Sequence, residues 1–337
     1  MNKIKCKKIK IIIISLVILT ALIGSVLSLY FADFSRSDFS LGVNFSRSYA
    51  EYLGLDWQKT YQEILNDLQP KKIRLAAPWN EIEPINNIYD FSDLDWQIEK
   101  ATEKKMEIVL IIGRRTPHWP ECHDPSWLKG RSKFWVEQQQ LEMLKTVVNR
   151  YKNNEQIKVW QVENEPLLDS FGQCPPGNPD LLQKEISLVR NLDDRPILIT
   201  DSGELSLWLP AAQMGDLFGT TLYKVVYNKW TQYTFYYLPP TFYRFKALLA
   251  GIEPEKVIIS ELQAEPWAPQ GILQTPLNEQ KISMDEKRLK NHISYAQKTG
   301  FTSAYLWGAE WWYWLNQKKN DPSLWRTAKQ EFIKFNN

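Results

Sequence analysis

The chain has 337 residues, a formal net charge of +2 and 44% hydrophobic residues, the balance of a folded globular protein rather than a disordered one. Five of its 41 basic residues (Lys3, Lys5, Lys7, Lys8 and Lys10) sit at the extreme N-terminus, leaving 36 basic against 39 acidic residues in the body. A near-neutral body with no basic stripe argues against a nucleic-acid partner, and three histidines without zinc-type Cys/His spacing argue against a metal centre.

Residues 1–10 read as a basic flank, and residues 11–30, Ile11 to Tyr30, carry no charge; the first acid is Asp33. That run matches a helix crossing a ~30 Å hydrocarbon core and exceeds a typical signal-peptide core. Lysines on its N-terminal side predict a cytoplasmic N-terminus and an exported remainder, held to the membrane by an uncleaved signal anchor. Cleavage near Ser28 or Ala32, releasing a secreted protein, is the alternative reading, although no small-x-small site stands out. Residues 31–40 read as a short linker.

From residue 41 to 337, short β-branched runs alternate with longer segments of helical apolar spacing. The expected strands are Leu41–Phe45, Lys72–Ala76, Glu107–Ile112, Ile157–Val162, Pro196–Thr200, Leu217–Leu222, Lys256–Glu261 and Thr302–Trp307. The intervening helices are expected over Trp57–Leu68, Leu94–Lys104, Lys133–Tyr151, Leu181–Asn191, Phe242–Leu249 and Glu286–Thr299. The helix after the second strand offers Ser92 as its cap, with Asp95 three residues later. Eight such units predict an α/β fold, a single (β/α)8 TIM barrel of about three hundred residues; an open doubly wound sheet shares the alternation. No glycine-rich phosphate loop follows any strand, which weakens the nucleotide-binding alternative, and no cofactor is implied.

Two strand endings carry the chemistry. Val159-Trp160-Gln161-Val162 runs into Glu163-Asn164-Glu165-Pro166, and Val257-Ile258-Ile259 into Ser260-Glu261. Glu165 and Glu261 are 96 residues apart, three βα units of about thirty residues each, so they end the fourth and seventh strands. Two carboxylates converging on one barrel mouth are what a retaining glycosidase requires, one as nucleophile and one as acid/base. Glu163 is an adjacent competitor, but strand alternation turns it away from its neighbour.

Here the sequence resembles clan A of the glycoside hydrolases, retaining (β/α)8 enzymes whose acid/base follows an asparagine at the end of strand four and whose nucleophile ends strand seven. Asn164-Glu165-Pro166 and Ile259-Ser260-Glu261 match both elements, and the resemblance covers the chain from about Leu41 onward. It implies Glu165 as acid/base, Glu261 as nucleophile and Asn164 on the sugar 2-hydroxyl. Arg74 would hold the nucleophile ionised, Tyr223 at the end of the sixth strand would hydrogen-bond it, and Trp307 would floor the sugar site. His118, in Thr116-Pro117-His118-Trp119, would contact sugar or nucleophile, or be a loop histidine without function. The segment Pro78-Trp79-Asn80-Glu81-Ile82-Glu83-Pro84 resembles the post-second-strand loop of clan families that include β-galactosidases and xylosidases. Asn86-Asn87 stands there where those loops carry a glycine before the aromatic.

Fifteen tryptophans support a carbohydrate partner, because flat indole faces stack on the C–H faces of pyranose rings. Trp79, Trp119, Trp267, Trp307, Trp311, Trp312 and Trp314 are expected near the C-terminal barrel face. Cys122 and Cys174 fall in loops on that face, where an oxidising compartment permits a disulfide; two unpaired loop thiols are the other reading. The expectation is a membrane-anchored, exported retaining β-glycosidase. A transglycosylase of the same fold and a non-catalytic carbohydrate-binding barrel are its rivals.

Overall fold

Eight short strands close into a barrel because each carries a nearly unbroken run of buried residues. The computed structural model describes residues 2–336; Met1, Asn337 and the side chains of residues 2–9, Leu29 and Asn336 lie outside it, and with them most of the basic flank. The barrel strands are β1 (Ser40–Asn44), β2 (Lys72–Ala76), β3 (Glu107–Ile112), β4 (Ile157–Val162), β5 (Ile197–Asp201), β6 (Leu217–Leu222), β9 (Val257–Gln263) and β10 (Ser303–Trp307). All neighbours are parallel, and β1 pairs with both β2 and β10, which closes the sheet. Each lies within two residues of its sequence expectation at either end. A hairpin, β7 (Val225–Asn228) with β8 (Gln232–Phe235), is inserted after β6 and stands apart from the barrel sheet.

Among the described residues, helices α1 (Asn2–Tyr30), α2 (Arg47–Tyr52), α3 (Trp57–Glu63), α4 (Trp79–Ile82), α5 (Ser92–Glu103) and α6 (Lys133–Tyr151) occupy the first half. The second half holds α7 (Pro179–Leu192), α8 (Pro240–Leu249), α9 (Leu277–Ser283), α10 (Glu286–Lys298), α11 (Ala309–Lys318) and α12 (Ser323–Asn336). The segment expected as one helix over 57–68 changes to π-helical winding at Ile64 and ends on Gln69, whose φ is 52°. The cap expected at Ser92 is displaced: Ser92 is the first helical residue, and Asp90 Oδ1 accepts from its backbone N–H at 3.0 Å and its hydroxyl at 2.6 Å. Asp95 instead binds Arg150 and Tyr151 of α6.

The core has two layers. Val109, Leu198, Ile258 and Tyr305 pack together inside the barrel, while the larger cluster fills the space between strands and helices. Alternation assigns the faces: Ile73 and Leu75 face the helices, so Arg74 points inward. Strict alternation in β9 would turn Ile258 and Ser260 inward and Glu261 out. The register skips one β9 residue against both neighbours, since Thr220 and Thr221 pair with Ile259 and Glu261, while Ala304 and Leu306 pair with Ile259 and Leu262. This bulge re-aims Glu261 toward the barrel mouth.

Helix α1 is long and apolar enough, over Lys10–Ser28, to cross a membrane, with mean hydropathy 2.7 and none of that stretch buried. None of its described side chains joins the buried core.

Candidate active site

An arginine at the barrel's centre organises the strand ends. Arg74, 1% exposed, donates from Nη1 to Asn44 Oδ1 at 2.8 Å and Glu261 Oε1 at 3.1 Å. It also donates from Nε to Gln161 Oε1 at 2.8 Å and from Nη2 to Asn164 Oδ1 at 2.7 Å. A buried guanidinium is tolerable only when its forked donors are met, and here residues from or beside β1, β4 and β9 meet them. Asn44 is in turn fixed by its amide, which donates to Ser260 O at 3.0 Å and Tyr305 O at 3.1 Å. Tyr223 donates its hydroxyl to the other Glu261 oxygen at 3.2 Å. Glu261 is therefore held by a cation and a hydroxyl on its two oxygens, a donor set suited to a carboxylate.

Glu165 has the opposite surroundings. Its backbone N–H donates to Thr200 Oγ1 at 2.9 Å, which fixes the chain after β4, and its φ of 45° is left-handed. Its Oε1 is buried with no protein partner among the described residues. Burial first, and then the charges of Glu261 and Glu121, push its carboxyl well above the usual carboxylate range. Glu163 does not line the cavity that Glu165 faces: alternation alone would put the two on one face, but left-handed φ values of 61° and 45° break the strand period there. It accepts from the backbone N–H of Arg114 at 2.8 Å and of Arg115 at 2.5 Å, and from Gln140 at 2.9 Å. A Cβ on Gly113 (φ 129°) would run into the Glu163 carboxylate, so only glycine fits beside this buried group.

Glu165 and Glu261 line one cavity of about 580 Å³ at the C-terminal face of the barrel, within the range of small-molecule sites. One wall is a ladder of rings: Tyr52 over Tyr49, Tyr49 over His118 at 5.0 Å, and His118 against Trp307 at 4.2 Å. Burial lowers His118 to about 3, so its imidazole is neutral at ordinary pH and acts here as a flat surface. The opposite wall sets Tyr223 edge-on to Trp267 at 5.2 Å. The disulfide Cys122–Cys174 ties the loop after β3 to the loop after β4 beside this mouth.

Of the residues singled out from sequence, Glu165, Glu261, Tyr223, Trp307 and His118 line the cavity, while Arg74 and Asn164 sit directly behind it. Trp79 does not reach it. This side chain is fully buried, donates to Glu83 at 2.7 Å and packs edge-on to Trp127, so it presents no face to a ligand. Trp311 and Trp312 are likewise core, spending their indole N–H groups on Gln280 and the Ala264 carbonyl.

Sequence reasoning passed over Glu121 and Glu265. Glu121 follows the His118 loop with a φ of 75°, accepts from the Asn164 amide at 3.3 Å, and is pushed up to about 8 by burial and by the charge of Glu261. Glu265 accepts the Trp307 indole N–H at 2.9 Å, and burial pushes it up to about 8. Neither occupies a strand, so no periodicity marks them.

These carboxyls set a pH response. Glu204 and Glu310 are raised to about 7 and Glu121 and Glu265 to about 8, all above the unfolded value near 4.5, chiefly by burial. The native state therefore holds protons that the unfolded chain has released, and stability falls as pH rises from about 4.5 through 8. Buried His118 and His292, lowered to about 3 and 4, act oppositely, but only below the unfolded histidine value of about 6.5. Between pH 6.5 and about 7 the carboxyls dominate, because Lys224 and Lys246, lowered to about 8 by burial, oppose them only as pH approaches 8. The melting temperature should fall steadily across that window, and Glu121→Gln should make the slope shallower; a flat profile would contradict this account.

A family model described as Glyco_hydro_42, beta-galactosidase, matches residues 55–176, a stretch that includes Glu165 but ends before Glu261. Beta-galactosidase BgaA of Clostridium cellulovorans is 27% identical over 205 residues, which are 51% of this chain and 29% of that protein. This chain thus aligns with under a third of the curated relative's length. Among solved structures, xylanase 10B of Thermotoga maritima superposes with a TM-score of 0.56 at 16% identity, over 80% of this chain and 83% of that one. The exo-β-1,4-mannosidase Op5Man5 of Opitutaceae bacterium strain TAV5 gives 0.58 at 16% identity, over 80% and 51%. The solved structures share the fold.

Proposed function

We propose that this chain, a (β/α)8 glycoside hydrolase of clan A, hydrolyses a β-linked glycan or glycoside with retention of anomeric configuration. The observation that carries the reading is the contrast between two glutamates opening on one cavity. Glu261 is held by Arg74 and Tyr223, while Glu165 is buried and keeps its proton. Unlike environments of this kind divide nucleophile from acid. In the first step a Glu261 oxygen bonds to the anomeric carbon, the glycosidic C–O bond breaks, and the Glu165 carboxyl gives its proton to the departing oxygen. Loss of the Glu261 charge then removes one cause of the raised Glu165 value. Glu165, now ionised, takes a proton from water as that water displaces Glu261 from the sugar.

Asn164, fixed by Arg74, is proposed to meet the sugar 2-hydroxyl, and the Trp307 indole to stack on a ring face. The hydrophobic helix α1 is proposed to anchor the catalytic part outside the cytoplasmic face. The descriptions of the matching family model and curated relative make β-galactosides the first substrates to try, followed by β-xylosides and β-mannosides. Aryl β-glycosides of these sugars should be turned over, with the β-anomer appearing first by NMR. First appearance of the α-anomer would replace retention with inversion, and glycan binding without turnover would indicate a binding protein.

A further inference from the structure

The solvent face of α8 has the wrong chemistry for water. Thr241, Tyr243 and Ala247 face the core, so amphipathic spacing calls for polar residues on the other side. Phe242, Phe245, Leu248 and Leu249 are exposed there instead, Leu249 by 78%. The loop after β5 continues the surface with Leu205, Leu207 (76% exposed) and Leu209. Lys246 ties the two together, lying over the Trp208 ring at 4.4 Å and donating to Gly203 O at 2.7 Å. Separately, the β7–β8 hairpin, which precedes α8 in the chain, exposes Trp230 by 96% at its tip. Single exposed apolar side chains are ordinary, but a contiguous set of this size marks a binding surface.

Charge and position identify the occupant. No acidic residue occurs between Asp216 and Glu253, whereas Lys224, Lys229, Arg244 and Lys246 do. The end of α1 packs against α8, the Tyr30 hydroxyl donates to Tyr237 O at 3.2 Å, and Arg244 lies over Phe34 at 4.6 Å. Apolar side chains rimmed by aromatics and cations suit the boundary between acyl chains and anionic headgroups.

We infer that the outer face of α8, the 205–209 loop and the β7–β8 tip rest on the same bilayer that α1 crosses, so that the barrel lies on the membrane surface. The inference rests on reading α1 as a membrane span. Leu205 belongs both to this face and to the cavity lining, which sets one rim of the cavity at the lipid surface.

The test uses the full chain with Cys6→Ser, reconstituted in nanodiscs of mixed phosphatidylglycerol and phosphatidylcholine. A polarity-sensitive fluorophore is attached at Leu207→Cys, at Leu249→Cys, or at Lys145→Cys on α6, a helix distant from α8 in the ring. Brominated acyl chains should quench the first two labels at least about twofold and leave the third almost unchanged, as insertion into the acyl boundary requires. Equal, weak quenching at all three positions would overturn the inference, as would self-association of the chain that shields Leu207 and Leu249 from lipid. A chain that fails to enter nanodiscs would instead refute α1 as a span, and this inference with it.

Discussion

Replacing Glu261 by glutamine should lower kcat on aryl β-glycosides by roughly 10⁴–10⁶-fold, the scale seen when a catalytic nucleophile is removed. The substitution keeps the side chain's size and an oxygen to accept from Arg74 or Tyr223, so the barrel mouth should hold its shape. What is lost, on the proposed mechanism, is the electron pair that bonds to the anomeric carbon. Leaving a buried guanidinium without its carboxylate ordinarily costs about 3–5 kcal/mol. Here Asn44, Gln161 and Asn164 still accept from Arg74, so the drop in stability should be smaller and the protein should remain folded. Circular dichroism and melting temperature check the fold, and single-turnover kinetics check the chemistry. The smaller variant Glu261→Gly gives a second readout, because added azide should then yield the α-glycosyl azide by direct displacement. Turnover within tenfold of the unmodified enzyme would mean that Glu261 is not the nucleophile.

The strand ends were legible because barrel strands are short, apolar and β-branched, and because the two proposed catalytic glutamates sit where such runs stop. The 96-residue spacing between Glu165 and Glu261 could be converted into three βα units without knowledge of any contact. The inward direction of Glu261 could not be read this way. Alternation from Ile258 gives the opposite face, and the correcting bulge depends on pairing with β6 and β10, whose register no local sequence encodes. Trp79 failed for a related reason. A tryptophan after a barrel strand can line the mouth or fill the core, and only Glu83 and Trp127, meeting it in space, decide for the core. Glu121 and Glu265 were hidden because loop residues lack a period, and their elevated values arise from burial by distant segments. The apolar face of α8 was present in the sequence as a helix hydrophobic on both sides, but helical spacing alone does not say which side meets the barrel.

Replacing Glu165 by glutamine should produce a different failure, and the difference tests the division of roles. A positioned acid/base contributes about 10²–10⁴-fold, so the loss should be smaller than for Glu261 and should depend on the substrate. Leaving groups that depart as stable anions, such as dinitrophenolate, need little protonation, and their glycosylation step should be nearly spared. Alkyl glycosides and glycans leave as poor anions and should suffer the full loss. The pH profile supplies an independent readout. Burial, then Glu261 and Glu121, raise the Glu165 carboxyl, and the proposed first step requires its protonated form. Activity should therefore decline on the alkaline side as Glu165 ionises, and Glu165→Gln should remove that decline for activated substrates. Glu121 also rises, to about 8, and could produce a similar limb. The two are separable, because Glu121→Gln lowers the repulsion on Glu165 and should shift the alkaline limb to lower pH without abolishing it. An alkaline limb that survives Glu165→Gln and disappears in Glu121→Gln would transfer the acid role to the loop after β3.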